Sequence, residues 1–234
     1  MPPRKAMILA AGFGKRLAPL TAHRPKALLP VGGKPLIVWQ IEKLVRAGIR
    51  RLIINTHYRA EQLVAALGDG TDFGVRIQWS HEPQILDTGG GIQAALPLLG
   101  AEPFLVVNAD IWSDYDFTQL LQPPAAGSLA HLVLVPNPPE HPQGDFVYRA
   151  QPGLRLKPGQ PTATYAGIAR LSPEFIRTCA PPAAAFPLLH ALQTGIARGQ
   201  VTAELHAGQW QDVGTPARLR TLDHMLSAAR HPPP

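Results

Sequence analysis

Short apolar runs alternate with amphipathic segments along the first half of the chain. A short apolar run bounded by glycine or polar residues predicts a buried strand. Apolar residues that recur every three or four positions predict a helix with one buried face. These patterns predict strands at Lys5–Ala10, Arg51–Asn55, Val75–Trp79 and Phe104–Asn108, and helices at Pro35–Ala47, Ala60–Leu67 and from Gly91 to Leu96.

The second half of the chain continues the alternation. Strands are predicted at Leu129–Val135 and Thr164–Leu171, and helices at Phe186–Arg198 and Pro216–Ser227. This β-α-β rhythm favours a three-layer α/β fold, in which helices cover a parallel sheet and the crossovers are right-handed. In such folds the ligand lies beyond the carboxyl ends of the strands.

Length and composition favour one compact domain. The chain has 234 residues and is 45% apolar, which argues against disorder. We expect a single domain over residues 1–230 and a frayed, proline-rich tail at 231–234. Apolar runs stay far below the 18 residues of a membrane span, so no membrane association is expected.

Charge and cysteine usage exclude further classes. The net charge is +6, yet no basic run exceeds two residues and aromatic residues make up only 6%. This pattern argues against a stacking platform for nucleic acid. Cys179 is the single cysteine, so a disulfide framework and a thiolate metal cluster are excluded. A cytoplasmic location follows as the default.

A glycine-rich turn with nearby cations follows the first predicted strand. Ala11 and Gly12 lead to Gly14, and glycine lets the backbone approach a ligand closely. Successive backbone N–H groups in such a turn form an anion-binding concavity. The cations that surround this turn are Lys15, Arg16 and Lys26. We therefore predict a nucleotide-phosphate site, although a plain strand-turn with incidental surface cations is the alternative.

Two carboxylates are candidate metal ligands. Asp110 follows the apolar strand that ends at Asn108, and Asp212 precedes a predicted helix. A desolvated carboxylate needs a partner or a metal, and Mg²⁺ takes one or two carboxylates plus phosphate oxygens. Helix capping is the alternative explanation for both carboxylates. Asp110 would then act as a helix cap, and Asp212 or Thr215 would cap the helix that follows them. The residue pattern alone leaves both explanations open.

A third segment runs from Glu82 to Gly91 and ends in three consecutive glycines. Bare backbone at Gly89 to Gly91 would let a flat group, such as a base, lie against the chain. A simple glycine linker is the alternative explanation.

Taken together, these motifs resemble the signature of the sugar-1-phosphate nucleotidyltransferases. Gly12–Thr21, Pro25-Lys26 and Pro30–Leu36 match Gly-x-Gly-x-Arg-Leu-x-Pro-Leu-Thr, Pro-Lys and Pro-Val-x-Gly-x-Pro-Leu. Trp210–Pro216 is similar to the family's second metal-binding segment. The resemblance implies a three-layer Rossmann-like fold with a mostly parallel mixed sheet.

The resemblance also implies site roles. Asp110 and Asp212 would bind Mg²⁺, and Arg16 and Lys26 would stabilise phosphate charge during catalysis. Backbone groups near Gly89, together with Glu82, would lie beside the base. The nucleotide-binding set comprises Ala11, Gly12, Gly14, Lys15, Arg16, Lys26, Glu82 and Gly89.

Within that family, the chain is similar to the uridylyltransferases of N-acetylmuramate α-1-phosphate. The stretches that carry this similarity are Asn108–Phe117, Gly144–Phe146, Thr164–Ile168 and Trp210–Leu219. It implies that Asn108, Asp145, Thr164 and Gly167 line the sugar site. The chain departs from the pattern in three places. Ala109 replaces a usual glycine, Asp87 replaces a common glutamate, and the segment 149–161 is short. Lys157 in that segment is a candidate counterpart of the lysine that binds the sugar phosphate in the broader family.

The resemblance therefore implies transfer of UMP from UTP to N-acetylmuramate α-1-phosphate, with no protein nucleophile and with pyrophosphate as the leaving group. Two alternatives remain at this point. One keeps the chemistry and changes the sugar or base, and the other is a non-catalytic sensor of nucleotide sugars. A monomer or simple homodimer is expected.

Overall fold

A nine-stranded mixed sheet forms the centre of the molecule. The computed structural model describes residues 2–149, 153–155 and 162–230, so the expected tail at 231–234 and Lys157 lie outside the described residues. The helices are α1 (Leu36–Arg46), α2 (Ala60–Leu67), α3 (Asp87–Leu99), α4 (Pro173–Cys179), α5 (Leu188–Ala197) and α6 (Pro216–Arg230). The strands are β1 (Lys5–Leu9), β2 (Pro30–Val31), β3 (Lys34–Pro35), β4 (Arg51–Thr56), β5 (Arg76–His81), β6 (Phe104–Asn108), β7 (Ile111–Ser113), β8 (Ala130–Val135), β9 (Phe146–Arg149), β10 (Gly153–Arg155), β11 (Thr162–Leu171), β12 (Val201–Leu205) and β13 (Trp210–Asp212).

The order of strands places β1 between two parallel neighbours. The path runs β12–β8–β11–β6–β1–β4–β5, and β9 joins at the start of β11 and pairs with β10. β11 is antiparallel to β6, β8 and β9, and β10 is antiparallel to β9, whereas the other strands of this nine-stranded sheet share one direction. The predicted mostly parallel mixed sheet is confirmed.

Alternating side chains of the strands fill two separate cores. Ala6 and Ile8 of β1 pack with α1 and α2, whereas Met7 packs with α3, α4 and α5. This period of two is what a pleated strand imposes. Because helices cover both faces, the predicted three layers are confirmed.

Some element boundaries differ from the sequence prediction. α3 begins at Asp87, before the predicted start at Gly91, so all three glycines lie inside the helix. α4 was not predicted, although Ser172 caps it by accepting a hydrogen bond from the Phe175 N–H at 3.1 Å. The edge strand β12 and the antiparallel pair β9 and β10 were also missed.

A third, smaller core joins the two ends of the described chain. Leu17 and Val31 pack there against Leu219, Leu222 and Leu226 of α6. This core fixes the segment that follows β1 against the last helix. No helix in the described part of the chain combines the length and apolar character needed to cross a bilayer.

Candidate active site

Polar residues at the carboxyl ends of three parallel strands, β4, β5 and β6, meet at one edge of the sheet. Leu9 at the end of β1 is in register with Asn55 of β4 and with Asn108 of β6. Glu82 follows β5, and Asp110 follows β6. The site therefore lies beyond the carboxyl ends of the strands, as expected for this architecture.

The glycine-rich turn after β1 is open toward solvent. No heavy atom lies within 4 Å of the position that a Cβ on Gly12 would take, which leaves room for a ligand above the backbone. Gly14 has φ +64°, and a Cβ there would lie 3.0 Å from the Lys26 Cβ. Arg16 points its guanidinium toward Gly214, whereas the Lys15 ammonium lies 5.3 Å from the centre of the Phe13 ring.

Asn55 and Glu82 fix the start of this turn through hydrogen bonds. The Ala10 N–H donates to Asn55 Oδ1 at 2.8 Å, and Asn55 Nδ2 donates to Glu82 Oε1 at 2.7 Å. The other oxygen of Glu82 accepts from the Leu86 N–H at 3.1 Å. Glu82 is only 1% exposed, and its carboxylate links β4, through Asn55, to the residue that precedes α3, Leu86. Asn55 was not singled out by the sequence, because it ends an apolar run that was assigned only to the core.

The three glycines of α3 serve close packing. A Cβ on Gly91 would lie 2.6 Å from Glu82 Oε1, and a Cβ on Gly89 would lie 2.3 Å from the Phe186 ring. The Gly89 N–H donates to the Phe186 carbonyl at 2.9 Å. The Gly89 N–H therefore already has a partner within the fold, and the expectation that backbone groups near Gly89 lie beside the base stays a prediction. Glu82, Asp87 and Thr88 line the cleft described next.

A cleft of about 340 Å³ opens between the turn and the start of α3. Its lining includes Ala11 and Gly12 on one side and the side chain of Ile85 on the other. Asn108 and Asp110 form one end of the cleft. We call it the turn cleft.

Asp110 and Asp212 come together although they lie far apart in the chain. The β7–β13 pairing sets Asp212 opposite Ile111, and the Val213 N–H donates to the Asp110 carbonyl at 2.9 Å. Lys26 Nζ lies 2.5 Å from Asp110 Oδ2 and 4.0 Å from Asp212 Oδ1. Burial and the neighbouring Asp110 carboxylate raise the pKa of Asp212, while the nearby cations act in the opposite direction.

The chemistry of this carboxylate pair fits a divalent cation that also binds phosphate. Two carboxylates already surround one cationic group, the Lys26 ammonium. Within the described ranges, no group of three or more His, Cys, Asp or Glu side chains could enclose a metal. Such an incomplete set suits Mg²⁺, which usually takes one or two carboxylates and fills its shell with water and phosphate oxygens.

A second cleft, of about 300 Å³, shares Asn108 and Asp110 with the turn cleft. We call it the β11 cleft, because Thr164, Tyr165 and Gly167 of that strand line it together with Asn108. The pairing of β11 with β8 shifts register between Tyr165 and Ile168. Gly167 has φ +73°, and a Cβ there would lie 2.8 Å from Asn108 Nδ2, so glycine lets Asn108 sit directly against the strand.

Two of the residues predicted to line the sugar site are engaged in holding a loop. Asp145 accepts from the Tyr165 N–H at 2.8 Å and lies 3.0 Å from His141 Nε2. The Thr164 hydroxyl donates to Asn137 Oδ1 at 3.0 Å. Thr164 lines the β11 cleft, whereas Asp145 is absent from its lining among the described residues. We therefore interpret Asp145 as support for the 136–145 loop.

Sequence reasoning missed three polar residues of the β11 cleft. Glu140 and His141 come from the proline-rich loop after β8, and Arg218 comes from the first turn of α6. Arg218 Nη1 donates to Asp212 Oδ2 at 3.0 Å and to Glu140 Oε1 at 2.8 Å. The position of Arg218 six residues after Asp212, at a helix start, was the available signal.

With this geometry established, the relatives of the chain can be compared. Residues 5–151 match the nucleotidyl transferase family. The N-acetylmuramate alpha-1-phosphate uridylyltransferase of Neisseria meningitidis serogroup B is 43% identical over 231 residues, which cover 96% of this chain and 99% of the relative. The enzyme of the same name from Caulobacter vibrioides is 35% identical over 250 residues, covering 97% of this chain and 98% of the relative.

A solved structure supports the fold independently. A Bacillus anthracis protein, described as a candidate glucose-1-phosphate thymidylyltransferase and bound to sucrose, superposes with a TM-score of 0.83. The two chains are 24% identical, and the alignment covers 95% of each. The family match, the two full-length relatives and the shared fold agree, and this chain belongs to the nucleotidyl transferase family.

Proposed function

We propose that the protein transfers UMP from UTP to N-acetylmuramate α-1-phosphate. A phosphate oxygen of the sugar 1-phosphate attacks the α-phosphorus of UTP. The bond from that phosphorus to the bridging oxygen of the β-phosphate breaks, and pyrophosphate leaves. The products are UDP-N-acetylmuramate and pyrophosphate. The two relatives that match along almost their whole length carry this activity in their names.

The meeting of two clefts at shared residues carries this proposal. Asn108 and Asp110 line both the turn cleft and the β11 cleft. A nucleotide in one cleft and a sugar phosphate in the other would therefore bring their phosphates together beside Asp110. Holding both reactants in line is a large part of catalysis in such a bimolecular step.

We assign the turn cleft to UTP. Backbone N–H groups at Ala11 and Gly12 would bind phosphate oxygens, and the end formed by Ile85, Asp87 and Thr88 is left for uracil. We assign the β11 cleft to the sugar, where Asn108 and Gly167 would contact its hydroxyl groups.

Two cations would neutralise charge as the phosphoryl group moves. Arg16 is exposed and lines the β11 cleft, so its planar guanidinium can bind the transferring and leaving phosphates. Lys26 lies between the two carboxylates and provides a point charge at the junction. Asp110 and Asp212 would hold Mg²⁺, which when bound supplies further neutralisation of phosphate charge.

We also propose a cytoplasmic location, where both substrates are metabolites.

Pyrophosphate release tests the proposal. The purified protein is incubated with Mg²⁺ and each of UTP, dTTP, GTP, ATP and CTP, in combination with N-acetylmuramate, N-acetylglucosamine, glucose and mannose 1-phosphates. We expect rapid, EDTA-sensitive release with UTP and N-acetylmuramate α-1-phosphate, and mass spectrometry should identify UDP-N-acetylmuramate.

Other outcomes of that experiment contradict the proposal in different ways. Release with a different sugar or base would keep the reaction and reject the assigned substrates. Tight binding of UDP-N-acetylmuramate without release in any combination would indicate a sensor and reject the enzymatic proposal.

A further inference from the structure

Arg218 is a mostly enclosed cation with unused hydrogen-bond donors. Its side chain is 17% exposed and lines the β11 cleft. Nη1 is shared by Asp212 and Glu140, at 3.0 and 2.8 Å. Its Nη2 and Nε groups donate no hydrogen bond to any residue that the structure describes. A guanidinium binds a carboxylate best through two parallel donors, and a pair of donors remains open here.

The cleft around Arg218 is otherwise rich in negative charge. Asp110, Asp212 and Glu140 all line it. If the proposed function holds, the sugar brings another carboxylate, on the lactyl ether that distinguishes N-acetylmuramate from N-acetylglucosamine. Three acidic side chains would repel that group, so its binding requires a cation within the cleft.

Two arginines, Arg16 and Arg218, line the described part of the cleft. The position that a Cβ on Gly214 would take lies 3.1 Å from Arg16 Nη2 and 2.6 Å from Arg218 Nη2, so both guanidinium groups lie beside Gly214. Arg218 also pairs with Glu140, on the loop after β8. His141 is a third candidate, but its Nε2 is already 3.0 Å from Asp145 Oδ1.

We propose that Arg218 recognises the lactyl carboxylate of N-acetylmuramate 1-phosphate and so selects this sugar over N-acetylglucosamine 1-phosphate. The inference rests on the proposed function and assigns sugar specificity to one side chain. Asp212 keeps the guanidinium in place through its bond to Nη1. The open donors then bind the incoming carboxylate.

Glu140 competes with the substrate for the same guanidinium. Its side chain is 41% exposed and comes from a loop, so it can leave Arg218 at small cost. In the free protein the Glu140 carboxylate neutralises the charge of Arg218. In the complex the lactyl carboxylate takes over this role. Removing the charge of Glu140 should therefore favour the sugar that carries a carboxylate.

The affinities of UDP-N-acetylmuramate and UDP-N-acetylglucosamine separate this role from general effects. The two compounds differ only by the lactyl ether. Titration calorimetry in the presence of Mg²⁺ gives both Kd values for the wild type, Arg218→Met, Arg218→Lys and Glu140→Gln. Arg220→Met is the matched control, because this exposed arginine lies on the same helix two positions further along.

We expect Arg218→Met to reduce the preference for UDP-N-acetylmuramate roughly 10- to 100-fold, as for loss of a hydrogen bond to a charged group. Arg218→Lys should give a smaller reduction, because lysine keeps the charge and loses the fork. Glu140→Gln should raise the preference, and Arg220→Met should leave it unchanged.

Several results would overturn the inference. Equal weakening of both compounds by Arg218→Met would show that Arg218 serves the phosphates or Asp212. A changed preference in His141→Gln but not in Arg218→Met would assign the lactyl group to His141. If the wild type neither turns over N-acetylmuramate 1-phosphate nor binds its UDP derivative, the proposed function itself fails. Turnover with an unchanged preference in Arg218→Met rejects only the specificity assignment.

Discussion

Replacing Glu82 with glutamine should destabilise the protein although the two side chains have nearly the same shape. The Glu82 carboxylate accepts one hydrogen bond on each oxygen, from Asn55 Nδ2 and from the Leu86 N–H. Glutamine offers one oxygen and one NH₂ group in those positions. Whichever way the amide turns, one of the two donors then faces another donor.

The expected magnitude follows from burial. Glu82 and Asn55 are 1% and 3% exposed, so water cannot replace the lost acceptor. A hydrogen bond to a charged group contributes about 1.5–3 kcal/mol, and an unsatisfied buried donor costs about 1–3 kcal/mol. Because these two estimates overlap, we expect Glu82→Gln to lower the free energy of unfolding by about 2–4 kcal/mol. The KM for UTP should rise as well, because Asn55 positions the Ala10 N–H at the start of the glycine-rich turn.

Urea denaturation followed by tryptophan fluorescence measures the effect. Glu61→Gln on α2 is the matched control, since Glu61 is exposed, and we expect it to leave stability unchanged. Asn55→Ala should be less than additive with Glu82→Gln, because the two side chains share one hydrogen bond. A change below about 0.5 kcal/mol in Glu82→Gln, the usual range for surface substitutions, would refute the reasoning.

Three further predictions concern the junction of the clefts and Lys43, a lysine of α1. Asp110→Asn should abolish pyrophosphate release while the circular dichroism spectrum stays that of the wild type; turnover near the wild-type rate would remove Asp110 from the metal site. Lys26→Met should lower kcat/KM for UTP by about 10²–10³-fold, as for loss of one preorganised charge contact, and an unchanged value would exclude Lys26 from the reaction. Burial lowers the pKa of Lys43 to about 8 from its ordinary value of 10.5. Because the folded-state pKa is the lower one, the unfolded state binds more protons between about pH 8 and 10.5, and stability should rise with pH across that window. Relative to Lys43→Met, the wild type should gain on the order of 1 kcal/mol there, discounted for partial solvent exposure; parallel pH profiles of the free energy of unfolding would contradict this.

The sequence predicted the regular parts of the fold because their signals are local. The apolar strand Phe104–Asn108 and the helix Ala60–Leu67 have the bounds that were expected. The close packing at the glycines of α3 was not predicted, for the opposite reason. Their meaning depends on Phe186 and Glu82, which approach Gly89 and Gly91 only after folding, and no local pattern encodes such a contact.

The candidate site shows the same contrast between residues with a local sequence signal and residues without one. Lys26, Asp110 and Asp212 stand in recognisable motifs, and the structure brings their side chains together. Their roles in binding and catalysis stay predictions. Asn55 and Arg218 act through partners distant in the chain, such as Ala10 for Asn55 and Glu140 for Arg218. Such residues become visible only when the strands and loops are assembled.

The third core has a consequence for how the protein becomes functional during synthesis. Leu17, which follows the glycine-rich turn, packs against Leu222 near the end of the described chain. The Gly32 N–H donates to Asp223 of α6 at 2.7 Å. β1, β4, β5 and β6 can pair while later residues are still being translated. Leu17, which follows this turn, gains its contacts with α6 only after that helix has emerged from the ribosome. A nascent chain therefore acquires its central strands well before it acquires a competent nucleotide site.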